Sequence, residues 1–259
     1  MSSSQVSDYE DYSSKLQKLK LQISDVIEKV PEFEEDFYLY FYLKAEKFSV
    51  DKAETNIREN LKWRAETNVD HLLKMDYTPE VFNAFPFYKD GKTKGDMIVW
   101  RGNAGKYRFS QELKRHGEDK CLTYWLQILI KGEKQIFDNI RELTQAGLTL
   151  DEINKLPLIN KNWLVLNMGG LAYNELLSAP TMRFLVNLVR IVVTYFPFMD
   201  GTVVFVNAGK LMEMFFKLIR PFLKGSNVDL IVFDSDSKKW KTFIYEHVDP
   251  SQICVSKKN

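Results

Sequence analysis

The sequence predicts an α/β protein: a small helical subdomain at the N-terminus, then a mixed, mostly parallel sheet flanked by helices. Three observations carry that prediction. The first seventy residues show helical periodicity and no strand-like run. From residue 97 onward, strand-like and helix-like segments alternate, strand first. The runs near residues 165, 204 and 231 are apolar throughout, as strands are when helices cover a parallel or mixed sheet.

The totals bound the class. The chain has 259 residues, 45% apolar and 27% charged, with a net charge of +1. That is the balance of an ordinary globular protein. It lacks the strongly basic character of a nucleic-acid binder. Aromatic content is high at 14%, including 18 Phe, so large apolar surfaces must be buried. Cys121 and Cys254 form neither a disulfide framework nor a zinc spacing, which fits a reducing cytosol. The opening MSSSQVSDYEDYSS is polar and acidic, unlike a signal peptide. No run reaches about 18 uninterrupted apolar residues, so no spanning helix is expected, and neither end carries a lipidation motif.

In chain order, residues 1–10 read as a disordered tail and 11–85 as the helical subdomain. Leu16, Leu19, Ile23, Val26, Ile27 and Val30 recur at helical spacing from Lys15 until Pro31. Phe33–Ala45 reads as an aromatic-rich helix. Val50–Glu66 reads as a third, with Ser49 as its N-cap and Ala53, Ile57, Leu61 and Trp63 inward. Residues 86–250 form the α/β part, and 251–259 a tail. YKDGKTKGD reads as a turn and Met97–Arg101 as a strand. A helical region runs from Ser110 to Leu143, with Gly132 as a candidate break, and Gly147–Asn162 is irregular. Trp163–Met168 is a strand, Pro180–Phe196 a nearly enveloped helix, Thr202–Asn207 a β-branched strand, Val228–Phe233 a strand and Lys238–Glu246 the last helix.

The segment between the last two strands, Gly209–Gly225, is unusual. Lys210, Glu213, Lys217, Arg220 and Lys224 make one narrow polar stripe, and almost everything else is apolar. A surface helix normally buries one stripe and shows a broad polar face; here the proportions are inverted. Pro221 lacks the N–H that would bond the Lys217 carbonyl, so the helix should end or kink there. Two readings fit: a thoroughly buried helix beside a sheet, or a movable lid over an apolar cavity, hinged at Gly209 and Gly225.

Catalytic apparatus is sparse. Gly102, Gly105 and Lys106 imitate a fragment of a phosphate loop at the wrong spacing. There is no G-x-S-x-G elbow. His71, His116 and His247 are scattered, and no metal site is expected. Asp234–Ser237 reads as a helix-capping loop rather than a cation site. Asp151 and Glu152 read as a solvated face. No enzyme and no cofactor is expected. The positive signal is apolar excess. An acyl chain costs about 0.8 kcal/mol per methylene in water, on the order of 12 kcal/mol for about sixteen carbons, so a carrier needs an enclosed apolar cavity with an entrance. The expected lining is Tyr124 and Ile128, then Leu164, Leu166 and Phe205 from strands, Leu188 and Val192 from the enveloped helix, and Met212, Phe215, Phe216, Ile219 and Phe222 from the lid. Lys210, Lys217, Arg220 and Lys224 are the expected membrane contacts, at about 1 kcal/mol each near an anionic surface.

Two stretches resemble a known family. YFYLKAEKFSVDKAETNIRENLKWR is similar to the L-R-F-L-R-A-R-K-F-D-V…A…W-R segment of CRAL-TRIO lipid-binding domains. YFPFMDGTVVFVNAGKLMEMFFKLIRPFL is similar to their Y-Y-P-E-R…I-N-x-P…K-P-F-L core, with Tyr195, Pro197, Asn207, Pro221, Phe222 and Leu223 matching. The resemblance covers about residues 35–250. It implies a helical subdomain, a mixed sheet flooring a lipid pocket, a gate helix at Gly209–Gly225, and non-catalytic binding and intermembrane transfer of a hydrophobic or phospholipid ligand. The implied setting is a cytoplasmic monomer, peripheral at membranes. The alternative is a ligand-free fold acting as a protein-interaction or regulatory module, with Phe198, Phe205, Phe215 and Phe216 filling the cavity. Departures leave the ligand open. Glu46 stands where phosphoinositide binders carry Arg, Phe198 where they carry Glu, and Asn227 and Leu230 where they carry Thr and Lys. The positions facing choline in phosphatidylcholine carriers fall near Asn162 and Leu164. Residues 131–162 read as an extra helix over the pocket or a partner-binding insertion.

Overall fold

The computed structural model describes residues 3–95, 97–156, 162–197, 201–224, 226 and 228–254. The chain folds as two units: Met1–Val69 with Lys134–Ile153, and Asp70–Glu133 with Asn154–Asn259.

Every regular element of the first unit's described residues is helical. Its helices are α1 (Ser3–Gln22), α2 (Ser24–Ile27), a 3-10 turn at Pro31–Glu34, α3 (Asp36–Ala45) and α4 (Val50–Thr67). The end of α8 (Glu118–Gln145) and most of α9 (Leu150–Lys155) complete it. The helix expected from Lys15 begins at Ser3, because the polar stretch before Lys15 has no apolar period to mark its start. Leu16, Leu19 and Ile23 are buried, as are Phe37, Phe41 and Tyr42 from α3. Tyr38 stacks on Phe137 with centroids 4.4 Å apart. The Arg141 Nε donates to both carboxylate oxygens of Glu35 at 3.0 Å. Ser49 occupies the N-cap of α4, but its side chain accepts no capping bond. Asp151 and Glu152 are not a free solvated face. The Tyr12 hydroxyl donates to Asp151. Glu152 and Thr149 exchange reciprocal side-chain-to-amide bonds, a capping box that starts α9.

The second unit holds a five-stranded sheet in the order β1 (Phe87–Lys92), β2 (Ile98–Gly102), β3 (Asn162–Asn167), β4 (Gly201–Val206) and β5 (Val228–Val232). β1 and β2 are antiparallel and the remaining pairs parallel. Because the strands lie in chain order, each parallel crossover steps the same way. Right-handed crossovers then place all their helices on one face. That face carries α7 (Phe109–His116), the start of α8, α11 (Ala179–Tyr195) and α12 (Leu211–Leu223), whose apolar residues cluster with Leu166, Val203 and Phe205. Among the described residues, the other face receives the last helix, α13 (Ser237–His247), whose Trp240 and Ile244 pack with Val165 and Val204, and Ile253 beyond it. Short helices α5 (Val69–Lys74), α6 (Pro79–Ala84) and α10 (Tyr173–Leu177) complete the unit.

Three expectations change. YKDGKTKGD is not wholly a turn: its first half is the edge strand β1. The Asp90-Gly91 pair, which reads as a turn, is a bulge between Lys89 and Gly91. A Cβ on Gly91 would stand 2.8 Å from the Gln252 carbonyl, so glycine lets the C-terminal segment cross the sheet edge there. Gly132 does not break α8; the break lies at Gly117, whose φ of 84° only glycine adopts readily. Pro221 sits inside the last turn of α12, which ends two residues later at Leu223. The capping reading of Asp234–Ser237 holds: the Asp236 side chain accepts from the Lys238 amide at 3.0 Å and starts α13.

Candidate functional site

Side chains alternate along a strand, and the register sorts them by face. Trp100, Leu164, Val203 and Leu230 lie in one transverse row, and Gly102, Leu166, Phe205 and Val232 in another. These rows look toward the crossover helices. On the opposite face, Val99, Trp163, Val165, Val204 and Val206 are at most 2% exposed. The crossover-side rows are different. Phe205 is buried, but Trp100, Leu164, Leu166, Val203 and Leu230 are half-buried, and Val232 is 45% exposed.

The overlying helices share this incomplete burial. Leu122, Trp125 and Ile128 recur every three residues along α8, and all are half-buried. Leu185, Val186 and Val189 of α11 are also half-buried against the same cluster. α12 turns Met212, Phe215, Phe216 and Ile219 inward, each under a tenth exposed. Its other side shows Met214 at 39% and Leu218 at 46%. Protein interiors pack densely and leave few voids larger than a water molecule. The apolar side chains of this face therefore pack less completely than those of the opposite face.

The expected lining divides as follows. Tyr124, Ile128, Leu166, Phe205, Met212, Phe215, Phe216 and Ile219 meet in one apolar cluster. Leu164 is half-buried beside Leu166's row, and Leu188, Val192 and Phe222 are half-buried on their helices; these four lie outside that cluster. Tyr124 is tied to structure as well, its hydroxyl donating to the Phe85 carbonyl at 2.7 Å. The Tyr107 hydroxyl donates to the neighbouring Pro86 carbonyl. Burial pushes both phenols well above their ordinary range. Cys121 is fully buried, and burial, with Glu112 and Glu118 nearby, pushes its thiol up to about 11. It is an inert core residue at neutral pH.

Gly209 is exposed, and a Cβ there would meet nothing within 4 Å. Gly225, Phe198 and Asn227 lie outside the described residues. Lys210, Lys217, Arg220 and Lys224 are all exposed, and α11 adds exposed Arg183 and Arg190. Glu46 accepts a bond from the Asn56 amide at 2.8 Å. Asn162 accepts from the Trp100 indole at 3.3 Å. Leu230 belongs to the half-buried sheet row. The phosphate-loop imitation is a packing device: a Cβ on Gly105 would stand 2.3 Å from the Met168 backbone. Among the described residues, no group of three His, Cys, Asp or Glu could hold a metal ion.

Sequence reasoning missed Trp125, Leu185, Val186, Val189, Val203 and Leu230. Val203 was available from Phe205, two residues along the same strand face. The α11 residues were not, because a helix apolar on nearly every side does not announce which stripe faces the sheet.

Comparison with known proteins fits this architecture. Residues 134–256 match the family model described as CRAL/TRIO domain. "Protein real-time" of Anopheles gambiae is 26% identical over 244 residues, covering 93% of this chain and 34% of that protein. "CRAL-TRIO domain-containing protein T23G5.2" of Caenorhabditis elegans is 26% identical over 192 residues, 73% of this chain and 24% of that protein. The chain thus spans about a third or less of the curated relatives it matches. Among solved structures, "Crystal structure of Sfh5" superposes with a TM-score of 0.66 at 18% identity, over 95% of this chain and 88% of that one, a likeness of fold. Residues 134–256 thus resemble a CRAL/TRIO domain, and the chain shares the fold of Sfh5.

Proposed function

We propose that this protein binds a hydrophobic lipid between the crossover-side face of its sheet and helices α8, α11 and α12, and exchanges or presents it at membranes without chemical change. The single observation that carries this reading is the half-buried apolar face itself. Trp100, Leu164, Leu166, Val203 and Leu230 stay partly accessible beneath helices while the reverse face is sealed. A concave apolar surface with few polar groups is the ordinary form of a ligand site. An acyl chain supplies the apolar atoms that the protein lacks there, at about 0.8 kcal/mol per methylene removed from water.

In this reading α12 is the gate. Its inward residues cover the ligand, and its outward Met214 and Leu218 stand among the exposed Lys217 and Arg220. That mixture suits the interface of an anionic bilayer, where apolar residues insert and cations meet headgroups. Gly209, with open space around its α-carbon, is the hinge on the N-terminal side. The test is transfer of a fluorescent phospholipid between vesicles. The protein accelerates transfer, and more so from anionic donors than from neutral ones. Transfer no faster than the spontaneous rate, with anionic and neutral vesicles alike, contradicts the proposal.

One observation favours a second reading. Phe205 and Phe216 pack edge to face at 5.0 Å, and Phe215 lies 6.0 Å from Phe216. These rings fill part of the space under α12 themselves. In a ligand-free interaction module they would fill all of it, and neither bound lipid nor transfer would be found.

A further inference from the structure

The aromatic cluster on the crossover side contains one polar group with nowhere to go. Trp125 of α8 lies within 6.5 Å, centroid to centroid, of Phe85, Phe87, Tyr107 and Tyr124. Both tyrosine hydroxyls in this group donate to backbone carbonyls. Two other tryptophans solve the same problem with asparagines: the Trp100 indole donates to Asn162 and the Trp240 indole to Asn207, each at 3.3 Å. The Trp125 Nε1 is shielded from water and has no acceptor among the described residues. Buried donors are almost always paired, and an orphan calls for an explanation.

Its place in the fold supplies one. Trp125 stands between Leu122 and Ile128 on the half-buried stripe of α8. Phe87, one of its neighbours, stacks on Trp100 of the open sheet row at 5.6 Å. A ring that is half-buried overall, with an unmet donor, borders the proposed ligand space. We propose that Trp125 is the polar anchor of that ligand: its indole N–H turns to donate to one uncharged acceptor oxygen on an otherwise apolar molecule. The ester carbonyl of an acyl lipid is such an oxygen. The rings around Trp125 are uncharged, and Arg101, the cation felt at Tyr107, is already paired with Asp90 at 2.7 Å, so a carboxylate or phosphate placed there would be a buried, unpaired ion, which is far costlier than a neutral acceptor. This inference rests on the lipid-binding reading and deepens it.

The experiment uses the whole chain and two tritiated probes delivered from cyclodextrin, methyl palmitate and heptadecane, which differ chiefly in the ester. Wild-type protein prefers the ester. In Trp125→Phe, which keeps a ring but removes the donor, the ester-to-hydrocarbon affinity ratio falls about tenfold, the worth of one hydrogen bond. A second readout keeps the Trp125 indole and does not depend on the folding of Trp125→Phe. The chain has five tryptophans, and specific labelling resolves their indole N–H signals by NMR. One of them, matched to Trp125 by selective broadening from a spin label on Ile128→Cys, moves downfield with methyl palmitate and not with heptadecane. An unchanged ratio together with an unmoved signal overturns the anchor while leaving the pocket. Binding of neither probe by wild-type protein removes the pocket and the anchor together.

Discussion

The two faces of the sheet are built from similar residues and end in opposite states. On one, Val99, Trp163, Val165, Val204 and Val206 are sealed by one helix, α13, with Ile253 of the segment that follows it. On the other, Trp100, Leu164, Leu166, Val203 and Leu230 stay half-buried, the last three in one cluster with residues of three helices, α8, α11 and α12. More covering elements leave more surface open. The difference lies in what each helix offers. α13 lays Trp240 and Ile244 directly on the strands, both 4% exposed or less. The inward residues of α12 share one cluster with Phe205 and with the half-buried Leu166, Val203 and Leu230. Apolar composition tells that a surface must be covered. It does not tell whether the cover is protein.

The comparison breaks if the sealed face tolerates truncation. Trp240→Ala there should cost about 3–5 kcal/mol, read from denaturant midpoints. Leu164→Ala on the open face should cost about 1 kcal/mol, because little new cavity is created. Equal losses contradict the assignment of the two faces. Enlargement gives the converse at smaller scale. Val165→Phe overpacks the sealed side and should cost about 1–3 kcal/mol. Val203→Phe fills space on the open side, should cost less than about 1 kcal/mol, and should reduce lipid uptake.

The rim of the open face has a pH signature. Burial holds the Tyr107 and Tyr124 phenols above their ordinary value of 10.0. The fold therefore favours the neutral form. This stabilisation is complete below pH 10 and is lost as pH rises beyond it, through the raised folded values. Absorbance near 295 nm should show a late ionisation phase coincident with unfolding; a reversible titration of all tyrosines near pH 10 in folded protein contradicts the burial. The smallest effect concerns the sealed face. Asp236→Ala removes the cap of α13 and should cost about 1 kcal/mol, with lipid content unchanged.

The alternation of strands and helices after residue 97 and the apolar runs of β3, β4 and β5 were legible, since a continuous apolar run of strand length is a local signal. So was the inverted polarity of α12. The edge strand β1 was hidden by Asp90-Gly91, where the same dipeptide serves a turn or a bulge depending on what crosses it. Here the crossing residue is Gln252, 161 residues after Gly91 and invisible to local pattern. The capping box of Thr149 and Glu152 was local, and a search three residues back from Glu152 finds it. Trp125 was beyond reach, because its meaning is the absence of an acceptor among side chains brought together only by folding.

The most direct test of the central claim is native mass spectrometry of the protein purified from cells without detergent. A population heavier than the 30.4 kDa chain by the mass of one lipid, released on denaturation and reduced in Val203→Phe, is the predicted result. A single species at the mass of the bare chain, unchanged after incubation with vesicles, would contradict it.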